Sequence, residues 1–129
     1  MIEEDYVSFE TAELLKEKGF DEVCFSCYEY FESGVTLYKG WIFEYKGYSV
    51  LNSSDRIKCP TLQMAVKWLR EVHNMYIEIC VGAGYIYGDV VFKSAVYNDE
   101  LDCLSEPESF PSYEEAAEAA LKYCLENLI

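Results

Sequence analysis

The sequence predicts an α+β protein in which an antiparallel sheet of about four strands packs with three helices, in the order α-β-β-α-β-β-α. Three observations support this fold class. Three segments begin with a helix cap and continue with helical periodicity, the segments between them are rich in β-branched and aromatic residues, and glycine-containing turns divide those segments. A length of 129 residues with 51% apolar content predicts one domain over residues 1–129.

Each predicted helix opens on a hydroxyl-bearing cap. The helices begin at Ser8, at Pro60-Thr61 and at Ser112, and they run to about Lys18, to about His73 and nearly to the C-terminus. Gly19 suits the left-handed cap that ends many helices, and Ser112 with Glu115 forms a capping box. The side chains expected to face the core are Leu62, Ala65, Val66, Leu69 and Val72 in the second helix and Tyr113, Ala117, Ala120, Leu121, Cys124 and Leu128 in the third.

The segments between the helices have strand-like composition. They cover residues 23–31, 35–38 and 41–51 before the second helix, and residues 75–81 and 85–97 after it. The Gly-Ala-Gly sequence at 82–84 predicts a hairpin turn between the last two segments. Residues 98–111 are acidic and contain Pro107 and Pro111, so we expect an exposed loop there.

The three helix starts resemble one another: Ser-Phe-Glu-Thr-Ala at residue 8, Thr-Leu-Gln-Met-Ala at 61 and Ser-Tyr-Glu-Glu-Ala at 112. A duplicated αββ unit would explain this likeness. The alternative is that any good helix start uses a hydroxyl cap, an acid or amide in the first turn and an alanine. Both explanations stay open at the level of sequence.

The charge balance excludes several classes of partner. The chain has 24 acids against 10 bases, a net charge of −14, and the excess acid lies in residues 1–34 and 94–129. Binding to nucleic acid or to an anionic membrane needs clustered lysine and arginine, so we predict neither. The start of the chain, Met1 to Asp5, lacks the features of a signal peptide, and we expect a cytoplasmic protein without a membrane partner.

The six cysteines and the one histidine do not form a recognisable chemical site. The cysteines are Cys24, Cys27, Cys59, Cys80, Cys103 and Cys124. Cys24 and Cys27 have redox or zinc spacing, but in an extended strand they point to opposite faces, and no second pair exists. His73 is expected to interact with the end of its helix. We therefore predict reduced thiols, no catalytic residue, no metal site and no cofactor.

Two surface features have both a structural and a functional interpretation. Tyr28 with Tyr30, and Tyr85 with Tyr87, share strand faces that either stabilise the sheet by cross-strand pairing or form an open aromatic binding face. The acidic stretch either is a solvated loop or competes with nucleic-acid phosphates for a basic protein. The residues named for that interaction are Asp99, Glu100, Asp102, Glu106 and Glu108.

Three segments of the chain also resemble a known group of proteins. They are residues 6–20, residues 60–74 and the segment from Ser112 to the end, and the match is most specific over Lys67 to His73. Together they resemble small uncharacterised proteins that are common in gut Bacteroides and in their phages and mobile elements. The resemblance implies a bacterial cytosolic or phage-encoded setting, and it implies no activity for any residue.

From these observations we expect a non-enzymatic accessory protein of phage or mobile-element type that acts by binding another protein, in its specific version a basic one. The alternative is a small enzyme or small-ligand-binding protein with a pocket between sheet and helices. A homo-oligomer formed through the open sheet face is a third expectation.

Overall fold

A computed structural model describes residues 1–39, 56–84, 89–106 and 108–129. Within these ranges the elements follow the order α-β-β-β-α-β-β-β-α, and the strands form two three-stranded antiparallel sheets. The predicted α+β class, the antiparallel pairing and the three helices are confirmed, whereas the single sheet of about four strands is replaced by two sheets of three. The chain divides into two compact units, Met1–Thr61 and Leu62–Ile129.

Helix α1 spans Phe9–Glu17, as its caps predict. The hydroxyl of Ser8 accepts a hydrogen bond from the backbone N–H of Thr11 at 3.2 Å. At the other end Gly19 takes a φ of +92°, and the N–H groups of Gly19 and Phe20 donate back to carbonyls of the last turn. This is a Schellman ending. It favours glycine because a side chain with a Cβ is strained in the left-handed conformation, whereas glycine has no Cβ.

The sheet of the first unit has the strand order β2-β1-β3. Its strands are β1 (Cys27–Phe31), β2 (Gly34–Tyr38) and β3 (Arg56–Lys58). The strand expected over 23–31 thus begins at Cys27. Tyr28 and Tyr30 contact the ring of Phe9 in α1 edge to face, with centroids 5.5 and 6.0 Å apart, so they do not form an open aromatic face. The predicted strand 41–51 and the Tyr85–Tyr87 pair lie outside the described residues.

Two helices belong to the second unit, α2 (Leu62–His73) and α3 (Tyr113–Asn127). Ser112 caps α3, and its hydroxyl accepts a hydrogen bond from the Glu115 N–H at 3.1 Å, as the capping box predicts. Four of the predicted core positions are not buried, namely Val66 and Val72 in α2 and Tyr113 and Leu128 in α3, and Val66 is half-buried. Val72 is 54% exposed and Trp68 is buried in its place, because the larger indole removes more apolar surface from water.

In α3 the prediction placed Tyr113 and Leu128 in the core, and neither is buried. Tyr113 is 53% exposed because it is the first residue of the helix, where its ring meets only the edge of Phe92 at 6.3 Å. Leu128 follows the last helical residue and is only half-buried, while Leu125, one turn earlier, is fully buried. The other predicted core residues of this helix, Ala117, Ala120, Leu121 and Cys124, are buried.

The sheet of the second unit has the order β4-β5-β6. Its strands are β4 (Tyr76–Ala83), β5 (Val90–Tyr97) and β6 (Glu108–Phe110). Gly82 and Ala83 therefore lie in β4, paired with β5, and not in the predicted turn. In this sheet the last strand in the chain, β6, pairs with the middle one, β5. In the sheet of the first unit the last strand, β3, pairs with the first one, β1. The described residues consequently do not support a duplicated sheet topology.

Candidate functional site: an acidic arm and the cleft beside it

The acidic segment after β5 folds back along the second sheet. We define residues 97–106 and 108–110 as the acidic arm. After β5 the chain turns and comes back along it: Tyr97 forms a β-bridge with Cys103, and the Leu104 N–H donates to the Val96 carbonyl at 2.7 Å. The arm then ends in β6, which pairs with β5. The loop prediction holds over residues 98–106, which are mostly exposed and lie outside the named strands, and it is wrong at β6, where pairing with a strand earlier in the chain overrides the local preference of an acidic, proline-containing segment.

Asn98 holds the turn of the arm. Its side-chain oxygen accepts hydrogen bonds from the backbone N–H groups of Glu100 and Asp102, at 3.0 and 2.9 Å. Leu101 sits at the tip with a φ of +67°, a left-handed backbone that leucine rarely adopts, and its N–H donates to the Asn98 carbonyl at 3.1 Å. The turn is therefore fixed by side-chain to backbone bonds, as in an Asx-turn.

The five acids named from the sequence fall into two groups on this arm. Asp99, Glu100 and Asp102 lie at the tip, Glu106 and Glu108 lie near its base, and all five are exposed. None of them forms an ion pair within the described ranges. Ion pairs within the described residues lie elsewhere and include Arg56 with Glu29, Lys58 with Asp21, and Lys67 with Glu71. The arm thus presents negative charge that no lysine or arginine of the described chain neutralises by contact.

A cleft of about 350 Å³ lies between the base of the arm and α3. It is lined by Ser94, Ser105, Glu106, Glu108, Ala119, Ala120 and Tyr123. Two of its walls are fixed by hydrogen bonds to backbone: Ser105 Oγ accepts from the Val96 N–H at 2.9 Å, and the Tyr123 hydroxyl donates to the Leu104 carbonyl at 3.1 Å. The structure thus brings two of the predicted acids, Glu106 and Glu108, to one opening and leaves the other three at the tip.

The thiols of Cys24 and Cys27 are both buried. Burial raises the pKa of Cys24 to about 11, so this thiol stays protonated near neutral pH. Cys124 is also buried, and burial raises its pKa to about 12. Across the described ranges no group of three histidine, cysteine or acidic side chains is arranged to hold a metal ion.

His73 packs its ring edge to face against Trp68, with centroids 4.7 Å apart. Its Nε2 atom is buried and has no hydrogen-bond partner in the described part of the chain. Since no nucleophile or carboxylate is hydrogen-bonded to the ring there, this geometry is a packing contact at a helix end. It gives no support for general-base chemistry.

The face of the second sheet that includes Glu78 and Cys80 is exposed and has two thiols. The Cys80 S–H donates to the Glu78 carboxylate at 2.6 Å, and this bond raises the pKa of Cys80. Cys80 pairs with Lys93 and Cys103 with Tyr97, positions four residues apart on β5. Four residues of strand span about 13 Å, which is beyond disulfide reach.

Sequence reasoning missed three residues of this region: Asn98, Ser94 and Tyr123. Asn98 had a readable signal, because an asparagine before an acidic, non-periodic segment commonly starts an Asx-turn. Ser94 had none, since a serine in a strand predicts neither the face it occupies nor its surroundings. Tyr123 was not among the residues assigned to the core face of its helix, and only the position of the arm gives its hydroxyl a partner.

Comparisons with protein-family models, with curated proteins and with solved structures find no match to this chain. Among the residues described, no helix combines the length and apolar character needed to cross a membrane.

Proposed function

We propose that the chain acts by binding another protein, and that the acidic arm is the binding surface. The partner is a protein with a basic patch. The observation that supports this most strongly is an ordered turn whose carboxylates form no ion pair with any lysine or arginine that the structure describes. A fixed array of uncompensated acids attracts a complementary charged surface and orients it, whereas a disordered acidic tail would attract without orientation.

The sequence also suggests where this protein acts. The resemblance to Bacteroides and phage proteins implies a bacterial cytosolic or phage-encoded setting, and a non-enzymatic accessory role in that setting is part of the proposal. A cytoplasmic location fits the six thiols, none of which is bridged in the structure. The proposed partner is a basic nucleic-acid-binding protein. The acidic surface would bind at the site that otherwise binds the phosphates.

The test compares two variants that lose the same amount of charge. The tip variant combines Asp99→Asn, Glu100→Gln and Asp102→Asn, and its control combines three exposed acids at the N-terminus, Glu3→Gln, Glu4→Gln and Asp5→Asn. The probe is a short fluorescent peptide of alternating arginine and serine, and binding is measured by anisotropy. Three exposed ion pairs of about 0.2–1 kcal/mol each predict roughly a tenfold loss for the tip variant.

The control variant is expected to bind within about twofold of the wild type, because non-local charge contributes little once salt screens it. Binding to the wild type should also weaken as ionic strength rises from about 0.01 to 0.1 M, over which the Debye length falls from about 30 to 10 Å. Equal losses in the two variants would show that the peptide responds only to net charge, and the proposal would then be abandoned.

A further inference from the structure

The cleft beside the arm contains a feature that the acidic surface alone does not explain. Ser94 is only 8% exposed and lines the cleft, and its hydroxyl makes no hydrogen bond to any residue that the structure describes. The hydroxyl is not sealed off: among the described residues the buried side-chain atom without a hydrogen-bond partner is His73 Nε2, whereas Ser94 Oγ keeps an opening to the cleft. A group that enters the cleft from outside the chain can therefore bond to the Ser94 hydroxyl.

The surroundings of Ser94 define the chemistry of such a partner. Ser94 pairs directly with Glu108 across β5 and β6, so their side chains stand next to each other on one face of the sheet. Glu106 also lines the cleft, and an ionised carboxylate can only accept hydrogen bonds. Two carboxylates and a hydroxyl therefore favour a cationic ligand with several hydrogen-bond donors.

The size and shape of the cleft restrict the class of ligand further. A cleft of about 350 Å³ is at the small end of the range for ligand pockets, about 300–1,000 Å³, and suits one side chain better than a cofactor. Ala119 and Ala120 leave the helix side of the cleft open, and Tyr123 adds an aromatic wall. A guanidinium is planar, has five donors in a fixed fork and packs well on aromatic rings, whereas an ammonium is a compact point charge.

We infer that this cleft receives one arginine side chain of the partner, with its guanidinium donating to Glu106, Glu108 and the Ser94 hydroxyl. The inference rests on the proposed function and adds to it a specificity pocket: the tip of the arm attracts a basic surface, and the cleft selects an arginine within it. The cleft and the tip consist of different residues, so an experiment can refute one proposal and leave the other standing.

The experiment titrates the full chain, labelled with nitrogen-15, with N-acetyl-arginine amide and follows backbone amide shifts by NMR. We expect saturable shifts at Ser94, Ser105 and Ala119, with smaller changes at the tip residues Asp99 and Glu100. N-acetyl-citrulline amide, which has nearly the same shape without the charge, should bind at least tenfold more weakly, because charge-assisted hydrogen bonds are about twice as strong as neutral ones.

Three substitutions test the walls of the cleft. Ala119→Leu fills it from the half-buried helix position, and Glu108→Gln removes one charge; each should lower arginine-amide affinity about tenfold. Asp99→Asn is the matched charge control and should change the affinity less than twofold. Ser94→Ala should weaken binding without lowering the urea midpoint, because the hydroxyl it removes has no partner in the described chain.

Equal binding of the arginine and citrulline amides, or unchanged affinity in both Ala119→Leu and Glu108→Gln, would overturn the inference. Those results would leave the arm proposal intact if the tip variant still loses the basic peptide. Conversely, arginine binding in the cleft together with an unaffected tip variant would support the pocket and reject the tip as the attracting surface.

Discussion

Replacing Asn98 by alanine tests whether the acidic arm is held by its turn. The substitution removes the acceptor of two backbone hydrogen bonds, from Glu100 and Asp102. A neutral hydrogen bond contributes about 0.5–1.5 kcal/mol, and both N–H groups belong to exposed residues, where water replaces the lost acceptor. We therefore expect the free energy of unfolding to fall by about 1–2 kcal/mol, near the lower end of the sum for two bonds.

The assay combines urea unfolding with amide hydrogen exchange. A loss of this size shifts the urea midpoint by roughly 0.5–1 M for a typical small protein. Exchange gives the sharper result, because the Glu100 and Asp102 amides should lose their protection while amides in the middle of β4 and β5 exchange as in the wild type. Asn98→Asp is the rescue variant: it keeps the acceptor oxygen but places a second carboxylate near Asp102, whose Oδ2 lies 3.4 Å from the Asn98 amide nitrogen.

Asp99→Ala is the control, because Asp99 is exposed and makes no side-chain bond within the described ranges. The reasoning is refuted if Asn98→Ala leaves the two amides protected, or if Asp99→Ala exposes them to the same extent. The first result would mean that the Tyr97–Cys103 bridge and the Leu104–Val96 hydrogen bond order the arm without the turn. The second would mean that the loss of protection does not depend on the Asn98 acceptor.

Two further predictions concern the second unit. Leu125→Ala should lower the free energy of unfolding by about 2–5 kcal/mol in urea titration, since Leu125 is fully buried, whereas Leu128→Ala, at a half-buried position, should cost clearly less; similar costs would contradict the observed helix face. Glu78→Gln should lower the pKa of Cys80 toward its ordinary value of 9.0, so alkylation of that thiol at pH 8 should become faster while Cys103 reacts at its original rate; an unchanged Cys80 rate would contradict the 2.6 Å contact.

The parts of the fold that the sequence predicted well are those decided by local chemistry. The caps at Ser8 and Ser112 and the left-handed Gly19 act within one turn of their own helices, so the residues that predict them are the residues that make them. The rotation of a helix about its axis is different. It depends on what lies opposite, which is why the burial of Trp68 and the exposure of Val72 were not predicted.

The cleft could not be predicted because its lining residues also depend on which parts of the chain lie opposite them. Ser94 becomes a lining residue only because β6 pairs beside it, and β6 lies in a segment whose composition predicts a loop. Ala119 and Tyr123 become walls only because the arm folds back toward α3. Each residue has an ordinary local explanation, and the site arises from long-range pairing that no local pattern specifies.

The carboxylates at the tip of the arm offer a final way to separate binding from stability. Asp99, Glu100 and Asp102 are close in sequence, share one sign and form no ion pair in the described chain, so their mutual repulsion opposes folding. The tip variant that neutralises them should unfold at the same urea concentration as the wild type or a higher one. If it does so while losing the basic peptide, unfolding cannot explain the loss. A tip variant that is clearly less stable would instead mean that these acids hold the turn together, and the arm would be a structural element.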